Sequence, residues 1–426
     1  MHIAELSGKN ICILGFGKEG RAMAEAIETH AKGAEITVAD QNEKTDIPDG
    51  YWKQLGTGWL LNLQKFDVLI KSPGIPPKPE FDAVQAKMTS PTQIFLDSVQ
   101  NSDAITIGIT GSKGKSTTSA LLAAILKDDE RDVHLVGNIG EPVIRHISDA
   151  KPGAIFVMEM SSYQLMDLTV SPDIAVITSF FPEHLDYHGS LQAYLDAKKN
   201  ITKWQKENGV VFYNADFPEA KEIAELSKGK RFAFSVKDCP LKAQDITLKG
   251  EHNRGNIAGA YAVAMHMKAE KSSAIETIRS FRCLPHRLET VALTGSVEWV
   301  NDSISTAPET AVAALNALGD RVKTIIVGGQ DRGYDFSILG ERIASSAVQN
   351  AILLPDSGYL IGKEIERAGA HVLLAPAKDM PEAVAKARDL TQEGIVLLSP
   401  ASPSYGHFKN FEDRGDQFRV LAKVTE

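Results

Sequence analysis

Short apolar runs recur along the chain, and each is followed by a glycine-rich or polar turn and then by a stretch with helical spacing. A run at 11–14 leads into Gly15-Phe16-Gly17-Lys18-Glu19-Gly20 and a helical stretch near 21–28. A second strand at 35–39 ends at Asp40, which gives a β-α-β start. A strand at 67–70 runs into Lys71-Ser72-Pro73-Gly74-Ile75-Pro76-Pro77, where proline and glycine force a turn. From about residue 101, a strand at 104–109 meets Gly111-Ser112-Lys113-Gly114-Lys115-Ser116-Thr117. A helix at 116–126 and strands at 154–158 and 174–178 follow. A third region, from about 284, predicts strands at 297–300, 324–327, 351–354, 372–374 and 395–398, with helices at 309–318 and 382–390. Strands alternating with helices imply parallel sheets covered on both faces. The expected class is α/β with three domains. These are a Rossmann-like N-terminal domain at 1–98, a central ATPase-type domain with a phosphate loop and a mainly parallel sheet at 99–283, and a second Rossmann-like domain at 284–426.

Composition narrows the function without naming it. The 426 residues suffice for several cores, and 46 basic against 55 acidic residues leave a net charge of −9. That balance counts against a nucleic-acid binder, which shows a basic face. Cys12, Cys239 and Cys283 form no C-x-x-C pair, which suits a reducing cytoplasm. No basic and apolar leader opens the sequence, and no long apolar run predicts a membrane span.

The chemistry concentrates at strand ends. In the 111–117 loop, glycines let backbone N–H groups converge on an anion, and the following helix N-terminus adds partial positive charge. Lys115 reaches toward the β- and γ-phosphates, and Ser116 or Thr117 toward Mg²⁺. The spacing departs from the usual pattern, because Ile109 stands where the first glycine belongs and Gly108 comes one place early. Gly15–Gly20 matches G-x-G-x-x-G, and Asp40 lies at the distance of a ribose-binding acid. The same glycines also suit tight strand–helix packing or another nucleotide, and Lys18 suits a diphosphate. Glu159 ends a strand beside the phosphate loop, where it can hold Mg²⁺ or act as a solvated cap. His184 and Asp186 follow another strand. Tyr194 and Lys198 share a helix face, where spacing alone makes Lys198 a surface lysine. Dense polar clusters at 252–256, 284–289, 301–303, 399–405 and 408–415 suggest ligand contacts or ordinary turns.

Taken in order, these segments resemble the Mur ligase family over essentially the whole chain, and most closely its D-glutamate-adding branch. The marks include the 108–117 loop, Gly137-Asn138-Ile139-Gly140, Glu159 with Ser161-Ser162-Tyr163-Gln164-Leu165, Glu183-His184-Leu185-Asp186, Leu284-Pro285-His286-Arg287 with Glu289, and the 408–415 stretch. The resemblance implies a cytoplasmic, monomeric ligase that uses ATP and two Mg²⁺ ions to add D-glutamate to UDP-N-acetylmuramoyl-L-alanine through an acyl phosphate.

By that resemblance, Gly17, Lys18, Glu19 and Gly20 with Ser72, Pro73 and Gly74 contact the diphosphate and sugar. Asp40 and Gln41 lie near the uracil, and Asn138 meets the muramoyl group. Gly111, Ser112, Lys113, Gly114, Lys115, Ser116 and Thr117 hold ATP with Asn253, Asn256, Arg287 and Asp302. Lys115, His184 and Lys198 carry the chemistry, and Lys198 is the carbamylated lysine. Ser116 and Glu159 serve one metal, and His184 and Lys198 the other. Thr306, Arg332, Ser404 and Phe411 meet the incoming glutamate.

The chain departs from the family pattern at Ile304, where relatives carry lysine, at Tyr405-Gly406, and at Ser179. An L-glutamate-adding relative is the nearest rival reading. An NAD-dependent oxidoreductase built on Gly15–Gly20 and a phosphate-loop switch ATPase are rivals of other classes.

Overall fold

The structure is a computed structural model. It describes every residue except Asn101, Lys249, Cys283, Leu284, Ala370, Thr425 and Glu426, and the side chain of Asp186. The expected domain start at 284, the expected region start at Asn101 and the third cysteine therefore lie outside the described residues. The chain divides into two compact units, Met1–Phe281 and Arg282–Glu426.

The first unit holds two sheets. One comprises β1 (Asn10–Leu14), β2 (Glu35–Asp40), β3 (Trp52–Leu55), β4 (Val68–Lys71) and β5 (Met88–Thr89), in the order β3-β2-β1-β4-β5. The other comprises β6 (Ile105–Thr110), β7 (Val133–Gly137), β8 (Ile155–Glu159), β9 (Ile174–Ile177), β10 (Val210–Asn214) and β11 (Lys230–Phe234), in the order β11-β10-β9-β6-β8-β7. All pairings in both sheets are parallel. Central strands such as β4, β8 and β9 are buried on both faces, which is why they read as continuous apolar runs.

The second unit holds β12 (Glu289–Thr294), β13 (Val297–Asn301), β14 (Val322–Val327), β15 (Asn350–Leu353), β16 (Leu373–Pro376) and β17 (Gly394–Leu398). Their order is β12-β13-β17-β14-β15-β16, parallel except for the β12–β13 hairpin.

Most expected elements lie within a residue or two of the observed ones. Two differences have clear causes. The first helix, expected near 21–28, spans Lys18–His30, because extended Gly17 caps it and Gly20 sits inside its first turn. A Cβ on Gly20 would stand 2.1 Å from the Gly15 carbonyl oxygen, so only glycine lets the helix begin that close to β1. Edge strand β3 went unforeseen because it is exposed and lacks an apolar run, and β5, β7, β10, β11 and β12 were not foreseen either.

The second unit is locked by an interlock between its two ends. Arg414 is fully buried; it donates from Nε to Ser303 Oγ at 3.0 Å, from Nη1 to the Ser402 carbonyl at 2.9 Å and from Nη2 to the Ser303 carbonyl at 2.9 Å. Burial lowers its pKa to about 9. His286 and Asn301 pack where a Cβ on Gly415 would fall, at 2.2 Å and 3.0 Å. Arg419 pairs with Glu289 at 2.8 Å, and Glu289 also accepts from the His286 backbone N–H at 2.9 Å. The polar clusters near 286, 301 and 414 are therefore parts of one joint. Gly415→Ala is expected to destabilise the second unit by about 1–3 kcal/mol through overpacking, read as a lower midpoint in chemical denaturation; an unchanged midpoint contradicts the joint.

Candidate active site

β6 delivers the chain into the phosphate loop, and the helix Lys115–Asp128 leaves it. Gly108 belongs to the strand. A Cβ there would lie 2.6 Å from Pro172 Cγ and 2.7 Å from Met160 Sδ, so sheet packing requires that glycine and the loop proper starts later. Gly111 and Gly114 have positive φ, +152° and +87°, and Cβ atoms there would meet Thr178 Oγ1 and Asn256 Oδ1, each at 2.1 Å.

Side chains from the end of β9 and beyond pin the loop. Thr178 Oγ1 and Ser179 Oγ donate to the Lys113 carbonyl at 2.7 and 2.9 Å, and the Lys113 N–H donates back to Ser179 Oγ at 2.9 Å. Ser179, one of the departures, thus has a definite task. Ser112 Oγ is buried between the Phe181 backbone, at 2.8 and 2.9 Å, and the Tyr194 hydroxyl at 2.9 Å. Its side chain supports the loop's shape, and its backbone N–H is likewise committed, donating to the Ser179 carbonyl at 3.0 Å, so Ser112 serves the loop and not an anion. Lys115 Nζ donates to the Gly111 and Ser112 carbonyls at 2.7 and 2.8 Å. Lys113 pairs with Glu183 at 2.6 Å.

Lys198 differs most from its sequence reading. It is a buried side chain, 1% exposed, on the helix Leu191–Lys203. Nζ donates to the Gly111 carbonyl at 3.0 Å, reaches Thr110 Oγ1 at 3.4 Å and lies 4.7 Å from the Tyr194 ring centre. Among the described residues no carboxylate pairs with it. Burial, reinforced by the Lys115 charge, pushes its pKa well below the ordinary lysine value. The helix face was legible, but what covers that face was not.

Glu159 ends β8 directly beside β6, with Ile109 opposite it. Its carboxylate is buried. Oε1 accepts from Asn138 Nδ2 at 2.7 Å, while Oε2 is buried and has no hydrogen-bond partner. An orphaned buried carboxylate oxygen beside a phosphate loop fits a divalent cation. His184 is exposed and caps the short helix Leu185–His188 in a left-handed conformation, φ 57°, with its ring 5.0 Å from Tyr163 and 6.2 Å from Tyr194.

A second cluster forms where β1 and β4 end. Asp40 accepts from the Phe16 N–H at 2.8 Å and the Asn42 N–H at 2.9 Å, so it shapes the glycine loop. Ser72 Oγ donates to the Gly15 carbonyl at 2.9 Å, and the Tyr187 hydroxyl donates to the Pro73 and Ile75 carbonyls at 2.7 and 2.8 Å. Lys18 Nζ donates to the Gly140 carbonyl at 2.6 Å. Burial raises the Glu19 pKa to about 7, opposed by Lys18 and by a hydrogen bond from Gln164. Gly17–Gly20, Ser72–Gly74, Asn138 and Glu159 are therefore tied into one region. Gln41 is exposed beyond Asp40.

Asn256 donates to Asn253 Oδ1 at 3.1 Å and borders a cleft of about 400 Å³. Phe181, Asn214, Asp216, Phe217 and His252 also line it. Apart from His252, these escaped the sequence reading; an aromatic pair, edge to face at 5.2 Å, has no local spacing signal.

Arg287, Asp302, Thr306, Arg332, Ser404 and Phe411 belong to the second unit. Asp302 is buried and receives Ser399 Oγ at 2.8 Å, the Leu288 N–H at 3.2 Å and Ser305 Oγ. Burial raises its pKa to about 6, against those bonds and Arg287. The chain ends of β14 and β17 meet through Gly328 N–H to the Pro400 carbonyl and Gln330 N–H to the Pro403 carbonyl, both 2.8 Å. That is the point where strand order reverses, the usual crevice of an open α/β sheet. Buried Ser404 and exposed Arg332 stand there, with the Arg332 guanidinium 5.9 Å from the Tyr405 ring centre. The Ile304 N–H donates to the His286 carbonyl, and Ser303 Oγ donates to the Phe411 carbonyl at 2.8 Å.

Comparison with known proteins fits this geometry. A family model described as the Mur ligase middle domain matches residues 109–267. A UDP-N-acetylmuramoyl-L-alanine–L-glutamate ligase from Salinispora tropica is 34% identical, with 100% of both chains covered. A UDP-N-acetylmuramoylalanine–D-glutamate ligase from Symbiobacterium thermophilum is 32% identical, with 97% of each covered. Among solved structures, MurF ligase from Thermotoga maritima in complex with ADP shares the fold at TM-score 0.60 and 18% identity, with 99% of this chain and 96% of that one covered. With a strand–loop–helix phosphate site at its centre and such identity over its whole length, the chain belongs to the Mur ligase family of ATP-dependent amide ligases.

Proposed function

We propose that this protein joins glutamate to the L-alanyl carboxylate of UDP-N-acetylmuramoyl-L-alanine, with D-glutamate as the acceptor amine, in the synthesis of a peptidoglycan precursor. The three sheets then serve three domains, 1–98, 99–283 and 284–426. The observation that carries the reading is the frame around the phosphate loop: a buried, charge-poor Lys198 and a buried Glu159 with one unpartnered oxygen. L-Glutamate is a second reading, favoured by the name of the Salinispora relative at 34% identity and of a Micromonospora relative at the same identity.

A carboxylate resists attack by an amine because its charge repels the nucleophile and oxide leaves poorly. Transfer of the ATP γ-phosphoryl group to it breaks the terminal P–O bond of ATP, forms the acyl phosphate and releases ADP. The glutamate amine then adds to the carbonyl carbon, and phosphate leaves as the amide forms. The protein's share is positioning and charge neutralisation. Backbone N–H groups of Gly114, Lys115 and Ser116, at the start of the helix, cradle the phosphates, while those of Ser112 and Lys113 hold the loop to Ser179, and Lys115 turns from its loop carbonyls toward them. The cleft beside Phe217 and Asn256 takes the adenine. Asn138 holds Glu159 in place. Ser116, Glu159, His184 and Lys198 would hold Mg²⁺, which would supply charge neutralisation for the transferring phosphoryl group. A neutral Lys198 amine can add to CO₂, forming an N–C bond and losing a proton, which turns it into an anionic carbamate suited to a cation. Lys18 and the 17–20 and 72–74 loops take the UDP diphosphate, and Asp40 and Gln41 lie toward the uracil. Arg332, Thr306, Ser404 and Phe411 take glutamate.

Phosphate release measured with ATP, UDP-N-acetylmuramoyl-L-alanine and each glutamate isomer tests this directly. Release is expected only when all three are present and with D-glutamate preferred. Preference for L-glutamate selects the second reading, and release without an amino acid or without the muramoyl substrate contradicts ligation. Lys115→Ala is expected to lower kcat by roughly 10²–10³-fold or more with circular dichroism unchanged; near-normal ligation by a folded variant overturns the loop's role.

A further inference from the structure

We propose that His134, His146 and Asp149 form a second metal site, for a borderline divalent transition metal such as Zn²⁺, at the edge of the central sheet. His134 stands on edge strand β7, with its ring stacked on Phe156 at 5.0 Å and 20°. His146, at a kink in the 3₁₀ segment Val143–Asp149, and Asp149, at its end, lie three residues apart. One nitrogen from each imidazole and one Asp149 oxygen fall within 4.8 Å of one another.

The spacing suits a small cation. Asp149 Oδ2 is 2.9 Å from His146 Nδ1 and 3.9 Å from His134 Nδ1. Ligands at bond lengths of about 2.0–2.2 Å in tetrahedral geometry stand roughly 3.3 Å apart, between those two distances. The outer nitrogens face further acids: His134 Nε2 is 3.1 Å from Asp132 Oδ1, and His146 Nε2 is 3.7 Å from Glu141 Oε2. His134 Nε2 is also buried without a hydrogen-bond partner. Metal at Nδ1 would fix the proton on Nε2, which lies near the Asp132 carboxylate but is not aligned with it as a hydrogen bond in this structure. Two imidazoles and a carboxylate select zinc-like ions over Mg²⁺, which prefers an all-oxygen octahedron.

This site is separate from the phosphate loop. His134 pairs with Phe156, and Gly137, three residues on, pairs with Glu159. The separation along the strand is roughly 10 Å. The ligands bracket residues 138–145. That segment contains Asn138, which bonds Glu159; Gly140, which accepts from Lys18; and Arg145, which pairs with Glu25 at 2.9 Å. A cation here would tether both ends of a segment that touches the substrate region.

Zn²⁺ titration of the untagged full chain against a competing chromophoric chelator tests the site. The wild-type chain is expected to hold one Zn²⁺ that His146→Gln and Asp149→Asn each weaken by more than tenfold, while Glu159→Gln retains it. Absence of tight binding, or wild-type affinity in both ligand variants, overturns the proposal. Co²⁺ added to the wild-type chain gives a check that needs no variant: an intense visible band from a four-coordinate ion is expected, and a spectrum matching the aqueous ion contradicts the site.

Discussion

Lys198 sits where burial, reinforced by the Lys115 charge, disfavours its own positive charge, while the Gly111 carbonyl 3.0 Å from Nζ and the aromatic face of Tyr194 offset part of that cost. Such a group must lose its proton, meet an anion or become one. The surrounding structure is arranged around that constraint. Tyr194, one turn earlier on the same helix, fixes Ser112. Ser112 fixes the Phe181 backbone, and Thr178 and Ser179 fix Lys113. The phosphate loop and the helix that delivers Lys198 are thus tied together by hydrogen bonds. The orphan oxygen of Glu159 supplies the matching negative side. In the proposed reaction an anionic phosphate and a cation would complete both halves together.

The same device recurs elsewhere in the chain. A polar side chain at one strand end closes a loop at the neighbouring strand end, as Ser72 does for Gly15, Asp40 for Phe16 and Thr178 for Lys113. Each tie satisfies backbone groups that a tight turn leaves open and fixes the donors before any ligand arrives. Preorganisation of this kind suits phosphoryl transfer, where the protein contributes position and electrostatics more than covalent chemistry.

Much of this was legible in the sequence. The parallel sheets announced themselves as apolar runs, and the glycine loops as turns that need φ > 0 or close approach. Gly111, Gly114 and Gly20 each prove to sit where a Cβ would collide. What stayed hidden depended on chain segments far apart. Spacing put Tyr194 and Lys198 on one face but could not show that the face is covered. Arg414 and Gly415 looked like ligand contacts, yet they meet Ser303 and His286 more than a hundred residues away. Phe181 and Phe217 line a cleft that no periodicity foretold. Gly108 looked like a displaced loop glycine and is a packing glycine.

The central proposal is that burial disfavours the charged form of Lys198, so that it carries a carbamate beside the phosphate loop. Carbon NMR of the active enzyme in isotopically labelled bicarbonate tests it most directly. A single carbamate resonance is expected, absent in Lys198→Met and lost with activity when CO₂ is stripped. Full activity with no carbamate resonance would contradict the account.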